Sequence, residues 1–487
     1  MKENREHLLE KLVEYGKSDF YPFHMPGHKR RCVFDFPNPY SMDITEIEGF
    51  DNLHHAEGIL KDSMEETARI YGTDKSYYLV NGSTCGILSA ICGCTKSGGT
   101  ILMARNCHKA AYHGTILHHL VPEYLYPEYI AEFGINGGIL PDDVECALKK
   151  NSRIQAVLIV SPTYDGIVSD VKKIADIAHE YGVPLIVDEA HGAHLTFADR
   201  GDGEKKFPKS ALECGADVVI DSLHKTLPSL TQTAILHIKS KLVNPVNVER
   251  YLGMFQSSSP SYVFMASMEK CVRFMDVDGR EEMKRYEERM VRFFEDMKEL
   301  KVLKVLDWNV RKEKSVFDWD MSKVVVSTKH AGFGGEKLCK ILGEKYHIEM
   351  EMSAPEYAVA LTSLMDTEEG LDRLACALKE IDRMAAENSV VEDGERSLLA
   401  EIPKAVPVIS LADALDREGV KMPVKESNGK ISQEFIYLYP PGIPILAPGE
   451  KITDDILERI QWYDYKGLSV QGPSDPSLSS IITVAEE

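Results

Sequence analysis

A lysine with two polar neighbours follows an apolar segment near the middle of the chain. Residues 216–220 form an apolar run with the length of a buried strand, and Ser222, His224 and Lys225 come where that strand should end. Because loss of hydration favours the neutral, nucleophilic form of an amine, a lysine placed there could form a Schiff base with an aldehyde. The alternative is a lysine that only extends from a strand end to solvent, and this segment by itself favours that interpretation.

A second segment has the composition of an anion site. Residues 81–86 read Asn-Gly-Ser-Thr-Cys-Gly, follow a predicted strand and begin a predicted helix. The free amides at the N-terminus of a helix, together with small hydroxyl side chains, suit a phosphate group. The segment lacks the lysine of a P-loop and the third glycine of a dinucleotide motif. A helix N-cap with a tight turn explains the same residues equally well.

An aspartate and a histidine follow two further predicted strands. Asp188 comes 37 residues before Lys225, and a buried carboxylate there can keep a pyridine nitrogen protonated, which makes the ring an electron sink. The alternatives are a metal site with His191 and His194, or a structural aspartate. His108 comes where an imidazole could stack on a flat ring, although a lone histidine is more often structural.

These features fit one cofactor. A phosphate cradle, a stacking ring, an acid for a pyridine nitrogen and a Schiff-base lysine occur in that order along the chain. Pyridoxal 5′-phosphate requires all four of them. We therefore interpret the segment around Lys225 as part of a site for this cofactor.

The elements that must position these residues alternate between helix and strand. Short apolar strands separated by helices predict βαβ units and a mainly parallel sheet, in an α/β fold. Ligands gather at the carboxyl ends of such strands. The notable residues all come just after predicted strands, and they are Asn81, Ser83, His108, Thr163, Asp188, Ser222 and Lys225. Ser63 and Glu66 predict a capping box at the start of a helix over 63–71.

The sequence predicts three domains. Residues 1–290 form the large cofactor-binding domain with an N-terminal arm, and 291–390 form a small α+β domain. A polar linker over 388–396 leads to a C-terminal domain over 397–487. In the small domain we expect strands over 323–327 and 357–362 and helices over 335–346 and 367–388.

The composition excludes some classes of partner. The chain has 487 residues with 56 Lys and Arg against 77 Asp and Glu, and its net charge of −21 argues against nucleic acid or an anionic membrane as a partner. Its ten cysteines include no pair of C-x-x-C motifs, so we expect no metal site. Free thiols without a signal peptide predict a cytoplasmic protein, and no apolar run approaches the roughly 20 residues of a membrane span.

Six segments occur together in a fixed order: His24-Met-Pro-Gly-His-Lys29, Asp51-Asn-Leu-His-His55, Asp188-Glu-Ala-His-Gly192, Ser222-Leu-His-Lys225, Tyr439-Pro-Pro-Gly-Ile-Pro444 and Gln471-Gly-Pro473. With them the chain resembles the ornithine/lysine/arginine decarboxylase family of pyridoxal-phosphate enzymes, which has the aspartate-aminotransferase-like fold (fold type I). It is similar to the short form of Gram-positive bacteria. The resemblance covers essentially the whole chain.

The resemblance implies a role for each matching residue. Lys225 would carry the cofactor aldehyde, Asp188 would pair with the pyridine nitrogen and His108 would stack on the ring. Ser258, in the turn 257–260, would reach the phosphate of a neighbouring subunit, which implies a homodimer or higher homo-oligomer with shared active sites. The residues implied around the rest of the cofactor are Ser83, Thr84, Thr163, Ala190, His191, Ser222 and His224. Long-form members have a tryptophan in place of His191.

The resemblance also implies decarboxylation of a basic amino acid in polyamine metabolism, with arginine expected first and lysine or ornithine next. The expected catalytic residues are Lys225, His224 and His108, and either of the first two could return a proton to the α-carbon. Glu450 or Glu48 could bind the distal cation of the substrate.

The chain departs from the family pattern at one place. Many short-form arginine decarboxylases have Gly-Gly where this chain has Leu227-Pro228, so the substrate stays open. An aminotransferase or lyase of the same fold would share Lys225 and Asp188, and it is the first alternative. A regulator that binds the cofactor without turnover is the second.

Overall fold

The computed structural model describes six segments of the chain. They are residues 7–34, 36–198, 206–388, 403–438, 443–465 and 470–485. Most of the predicted linker 388–396 and the first four residues of the segment 439–444 lie outside the described residues. Within these six segments, no helix is both long enough and apolar enough to cross a membrane.

The first part of the chain builds a large α/β unit. Its α-helices are α1 (Leu8–Lys17), α2 (Ile59–Tyr71), α3 (Gly82–Cys94), α4 (Lys109–Leu117), α5 (Pro141–Lys150), α6 (Val171–Glu180), α7 (Leu223–Thr226), α8 (Pro245–Phe255), α9 (Tyr262–Phe274) and α10 (Arg280–Met297). Its strands are β1 (Tyr21–Phe23), β2 (Lys75–Leu79), β3 (Thr100–Ala104), β4 (Val121–Leu125), β5 (Tyr129–Ile130), β6 (Ile135–Asn136), β7 (Ile154–Val160), β8 (Ile167–Val168), β9 (Leu185–Asp188), β10 (Val218–Asp221) and β11 (Ala234–Ile238).

Seven of these strands form one sheet in the order β2-β11-β10-β9-β7-β3-β4. β11 runs antiparallel to both neighbours, and the other six strands are parallel to one another. β3, β9, β10 and β11 are buried along their whole length, as expected where helices cover both faces of a sheet. The predicted α/β fold with a mainly parallel sheet is confirmed, because apolar runs of strand length mark each of these buried strands.

The capping box predicted at Ser63 is wrong. Helix α2 begins at Ile59, and the carboxylate of Asp51 accepts hydrogen bonds from backbone N–H groups at its start. Burial raises the pKa of Asp51, but these hydrogen bonds more than offset it and lower the pKa to about 2. Ser63 lies inside the helix, with its Oγ 2.7 Å from the hydroxyl of Tyr78. The carboxylate of Asp51, in the preceding loop, therefore caps helix α2 in place of Ser63.

A smaller α+β unit follows. It contains α11 (Gly335–Tyr346), α12 (Glu368–Asn388), β12 (Lys304–Val305), β13 (Asp318–Trp319), β14 (Lys323–Ser327), β15 (Ile348–Met350), β16 (Met352–Ser353) and β17 (Tyr357–Leu361). An antiparallel sheet has the order β12-β14-β17-β16. β15 pairs in parallel with β1, and β13 pairs with β8, so the smaller unit is joined to the large one at two places. The predicted domain boundary at residue 290 lies within α10, and it stays a prediction.

The last part of the chain has a hydrophobic cluster of its own. It contains α13 (Leu411–Asp416), α14 (Asp454–Tyr465), β18 (Gly419–Pro423), β19 (Ile436–Leu438), β20 (Ile443–Leu446), β21 (Val470–Gln471) and β22 (Ser480–Val484). Ile436, Leu446 and Ile460 are among the buried members of this cluster. A buried ion pair between Arg105 and Glu450 connects it to the large unit.

Candidate active site

Lys225 lies on the short helix α7, directly after β10. Its Nζ is 3.0 Å from Nε2 of His191, which follows the neighbouring strand β9. Burial lowers the pKa of Lys225 and the charge of Lys323 lowers it further, while the carboxylates of Asp188 and Glu351 act in the opposite direction. An amine made less basic by its surroundings is more often neutral and therefore nucleophilic. The structure thus gives Lys225 the environment that a covalent catalyst needs.

Asp188 ends β9 and is almost fully buried. Burial raises the pKa of this carboxyl, and Lys225 opposes that effect. The backbone N–H of Ala190 donates to Oδ1 of Asp188 at 3.2 Å, so the turn after β9 orients the carboxylate. A carboxylate in the interior requires a cationic partner, and a protonated ring nitrogen is one such partner.

Three histidines surround the lysine. Desolvation and the charge of Lys225 lower the pKa of His108 to about 4. The same two causes lower the pKa of His224 to about 4, although its hydrogen bond to Thr233 opposes them. Desolvation and Lys225 also lower the pKa of His191 well below its ordinary value. All three imidazoles are consequently neutral at pH 7.

The tautomer of His224 follows from its contact. Its Nδ1 lies 2.9 Å from the carbonyl oxygen of Thr233 and donates a proton to it, so Nε2 carries a lone pair. His108 is the N-cap of α4, and its Nδ1 accepts from the backbone N–H of Ala110 at 3.2 Å. His224 thus presents a proton acceptor, whereas the other ring nitrogen of His108 carries the proton.

A cradle of hydroxyl groups and backbone amides lies at the N-terminus of α3. Ser222 Oγ donates to Ser83 Oγ at 3.0 Å, which joins the end of β10 to the first turn of that helix. The N-cap residue Asn81 makes no capping hydrogen bond within its helix. Its side chain instead accepts from the backbone N–H of Ser257 at 3.1 Å, so the amides of the first turn are left to bind an anion. Thr84 is an exposed residue of the same turn.

Two predicted cofactor contacts stay predictions. Thr163 is buried, and its hydroxyl accepts from the backbone N–H of Ile167 at 3.0 Å within a turn. Ser258 is exposed in a turn that His54 holds by a contact of 2.7 Å to the carbonyl oxygen of Ser257. The contact of Ser258 with the phosphate of a neighbouring subunit stays a prediction.

The prediction that Glu450 binds the distal cation of a substrate is wrong. Glu450 is almost fully buried and accepts two hydrogen bonds, of 2.5 and 2.9 Å, from the guanidinium of Arg105. Its Oε2 also accepts from the backbone N–H of Ala447. Its charge is therefore committed to Arg105. Glu48 is exposed in the loop before Asp51 and stays a prediction.

Sequence reasoning missed Glu351, which reaches the site from the smaller unit. Its Oε1 accepts from the hydroxyl of Tyr164 at 2.5 Å, and its Oε2 accepts from the backbone N–H of Met25 at 2.8 Å. The ring of Tyr164 lies 4.7 Å from that of His191. A signal existed in the pair Glu349 and Glu351, because residues two apart in an extended segment point to the same side.

The N-terminal arm reaches the site beside Glu351. The backbone N–H of Gly27 donates to the carbonyl oxygen of His224 at 2.7 Å, and its own carbonyl accepts from Ser363 at 2.6 Å. A Cβ at position 27 would come within 2.8 Å of the backbone oxygen of Leu227. Only glycine allows this approach, which gives the segment His24–Lys29 a structural reason for its composition.

The fold and the site together define the structural class of the protein. A mainly parallel seven-stranded sheet with a half-buried lysine, a buried aspartate and an anion cradle at its carboxyl edge is an aspartate-aminotransferase-like architecture. The lysine decarboxylase of Francisella novicida has the same fold, with a TM-score of 0.78 and 22% sequence identity over 98% of this chain and 80% of that chain. The predicted fold type I is confirmed.

The chain belongs to the Orn/Lys/Arg decarboxylase family. Residues 7–337 match the major domain of the family, and residues 400–465 match its C-terminal domain. An arginine decarboxylase of Bacillus anthracis is 32% identical over 98% of this chain and 97% of its own length. An arginine decarboxylase of Bacillus subtilis is 31% identical over 100% and 99%. The chain is accordingly an amino-acid decarboxylase, and the aminotransferase alternative is not favoured.

The family and the fold imply pyridoxal phosphate, and the residues present fit it. Nδ1 of His191 is buried without a hydrogen-bond partner in the described protein, although its Nε2 contacts Lys225. Asp188, Lys225 and the cradle at α3 meet at one edge of the sheet. A bound group with a phosphate, an aldehyde and a basic ring nitrogen would supply partners for the cradle, for Lys225 and for Asp188, in that order.

Proposed function

We propose that this chain is a cytoplasmic, pyridoxal-phosphate-dependent arginine decarboxylase that forms agmatine and carbon dioxide. The observation that carries the proposal is the half-buried amine of Lys225 beside the buried carboxyl of Asp188, in a member of the Orn/Lys/Arg decarboxylase family. Bound pyridoxal phosphate would supply the electron sink for the pair of electrons that the leaving carboxylate releases.

The residues of the chain divide the remaining work. Lys225 would hold the aldehyde carbon, and Asp188 would hold the proton on the ring nitrogen. His108 would support the ring, while Ser83 and Ser222 would bind the phosphate together with the amides of α3. The list of expected contacts is completed by Thr84, Thr163, Ala190, His191, His224 and Ser258. After loss of carbon dioxide the α-carbon requires a proton, which the amine of Lys225 can deliver.

Glu351 is the carboxylate best placed to bind the substrate cation. It is an electrostatic neighbour of Lys225 and comes from the smaller unit, which faces the carboxyl edge of the sheet. A planar guanidinium matches a carboxylate with two parallel hydrogen bonds, which a terminal ammonium cannot form. The relatives of Bacillus that bear the name arginine decarboxylase support the same choice.

A homodimer with shared sites is part of the proposal. Large apolar side chains of the N-terminal arm and the loop after it are exposed in the isolated chain, and such patches favour an interface. They are Leu8, Leu9, Leu12, Val13, Tyr40, Ile47, Phe50 and Ile59.

The cysteines support the cytoplasm as the compartment. The described cysteines are free thiols, which suit a reducing compartment.

The test is release of carbon dioxide from arginine, lysine and ornithine, measured in parallel with the purified chain loaded with pyridoxal phosphate. We expect kcat/KM for arginine to exceed that for each of the other two at least about tenfold, with agmatine as the product. A preference for lysine or ornithine would overturn arginine as the substrate. Amino-group transfer without release of carbon dioxide would overturn the decarboxylase.

A charge-neutral variant tests the role of Glu351. We expect Glu351→Gln to raise KM for arginine roughly 10- to 100-fold, because a hydrogen bond between charged groups is worth about 1.5–3 kcal/mol. The change in kcat should be smaller, since the amide oxygen can still accept from the backbone N–H of Met25 while the NH2 group donates to the hydroxyl oxygen of Tyr164. KM is measured by steady-state kinetics of carbon dioxide release.

Glu349→Gln is the matched control for that variant. Glu349 lies two residues earlier and contacts the hydroxyl of Tyr15 and the imidazole of His24 instead. It should leave KM within about twofold of the parent value. Equal increases of KM in the two variants would contradict a specific role for Glu351.

A further inference from the structure

A buried ion pair of the smaller unit lies against the turn that carries His191. Lys323, the first residue of β14, and Asp320 are both fully buried, with 2.6 Å between Nζ and Oδ2. Burial opposes the ionisation of Asp320, but Lys323 and His194 more than offset it and lower the pKa of this carboxyl. Burial lowers the pKa of Lys323 as well, and the carboxylate of Asp320 opposes that effect. The contact of 2.6 Å and the two further acceptors of the ammonium favour the ionised form of the pair, which lies at the junction of the two units.

The ammonium of Lys323 has three acceptors, which is the number it can serve. Besides Asp320 it donates to Oγ of Ser322 at 2.8 Å and to the backbone carbonyl oxygen of His191 at 2.5 Å. The side chain of that same His191 contacts Lys225 Nζ at 3.0 Å. One residue therefore separates the buried cation from the active amine.

Asp320 joins the same network from the other side. Its Oδ1 lies 3.2 Å from Nε2 of His194, and its backbone N–H donates to the carbonyl oxygen of Gly166 in the large unit at 2.8 Å. Replacing a buried ion pair by apolar side chains is often neutral or stabilising, so stability gives little reason for such a pair. The contact of Lys323 with the turn that carries His191 gives a better reason for the pair.

We propose that Lys323 is a positioning residue of the active site, which holds the turn of His191 against Lys225 and places an ammonium group one residue away from that amine. This inference rests on the proposed role of Lys225. The small unit takes part in catalysis through this contact, because Lys323 can bind the carbonyl of His191 only when β14 is docked on the large unit.

The charge near Lys225 is the sum of several groups. The titratable and charged groups that face it from the surrounding elements are Asp188, Glu351, Lys323, His108, His191 and His224. The three imidazoles are neutral, so two carboxylates oppose one ammonium, and Asp320 stands behind that ammonium. Removal of the Lys323 charge must therefore favour the protonated form of Lys225, whereas a cation kept at position 323 must not.

The experiment measures the reactivity of Lys225 in the full chain without added cofactor. The chain is treated with trinitrobenzenesulfonate over a range of pH, and labelling of Lys225 is read by peptide mass analysis. We expect Lys323→Met to slow labelling at neutral pH about tenfold, since two charges roughly 10 Å apart in a protein, about the span of one intervening residue, interact with about that effect. The limiting rate at high pH, where Lys225 is neutral in every variant, should stay at the parent value, and Lys323→Arg should label like the parent at every pH.

The outcomes separate positioning from general damage. Loosened packing would change the limiting rate of Lys225 labelling at high pH, and that result would overturn the proposal, as would an unchanged Lys323→Met at neutral pH. If Lys323→Met does not fold, Lys323→Gln and Lys323→Arg still decide, because the first must label more slowly at neutral pH and the second must match the parent. The labelling measurement contains no substrate. If the labelling of Lys225 shifts as expected but the chain releases no carbon dioxide from arginine, lysine or ornithine, the proposed function is refuted and the role of Lys323 stands.

Discussion

Replacement of Lys225 by alanine is expected to lower the rate of carbon dioxide release from arginine by at least about 10³-fold, since general acid–base catalysis alone contributes about 10²–10⁴ and the covalent link to the cofactor is lost as well. The absorbance of cofactor held by Lys225 should disappear together with activity. The measurements are single-turnover carbon dioxide release and the visible spectrum of the purified chain. Pyridoxal phosphate can still bind without covalent attachment, because the cradle at α3 is unchanged.

Two further variants define this result. Lys225→Arg keeps a positive charge but cannot link to an aldehyde, so it should be as inactive as the alanine variant. Lys239→Ala removes an exposed lysine just after β11 and should retain the parent rate. Substantial activity in Lys225→Ala would contradict the assignment of this lysine and move the search to another buried amine.

The largest effect on stability is expected at Arg105 and Glu450. Truncation of either partner should lower the free energy of unfolding by about 3–5 kcal/mol, because it leaves an uncompensated charge in the interior. Both side chains are nearly inaccessible, and the guanidinium also lies 4.6 Å from the ring centroid of Tyr124. Arg105→Met and Glu450→Leu are measured by urea unfolding at pH 7 and low salt.

The double variant gives the sharper comparison. With both charges removed, Arg105→Met with Glu450→Leu should recover most of the loss, since neither charge is then buried alone. Lys172→Ala is the control, because its i,i+4 pair with Asp176 is exposed and should be worth no more than about 1 kcal/mol. A loss below 1 kcal/mol in both single variants would show that the pair does not hold the C-terminal unit to the large one.

Patterns within short stretches of sequence predicted most of the fold. Buried strands such as β9 and β10 are apolar up to a final aspartate, and the polar residues at their carboxyl ends, Asp188 and Ser222, had to meet at one edge of a parallel sheet. The segment around Lys225 was informative for the same reason. The position of a residue along one strand is a local property, and local properties can be read from a single sequence.

Contacts between distant segments could not be predicted in this way. Arg105 and Glu450 are 345 positions apart, so no local pattern showed that the charge of Glu450 is already neutralised. Glu351 and Lys323 reach the site from the smaller unit, where they read as ordinary charged residues beside strands. Asp51 starts α2 from a loop, and the closer Ser63 and Glu66 matched a capping pattern that the backbone does not use.

The pairing of β1 with β15 has a consequence for synthesis of the chain. Tyr21 leaves the ribosome early, but Ile348, its partner in the sheet, is made more than 300 residues later. At roughly 5–20 residues per second, the arm must wait roughly 15–60 s for that partner. The seven-stranded sheet can form in the meantime, since its last strand ends at Ile238. The nascent chain therefore has a folded sheet before it has a complete active site, and its exposed arm is open to cellular chaperones during that interval.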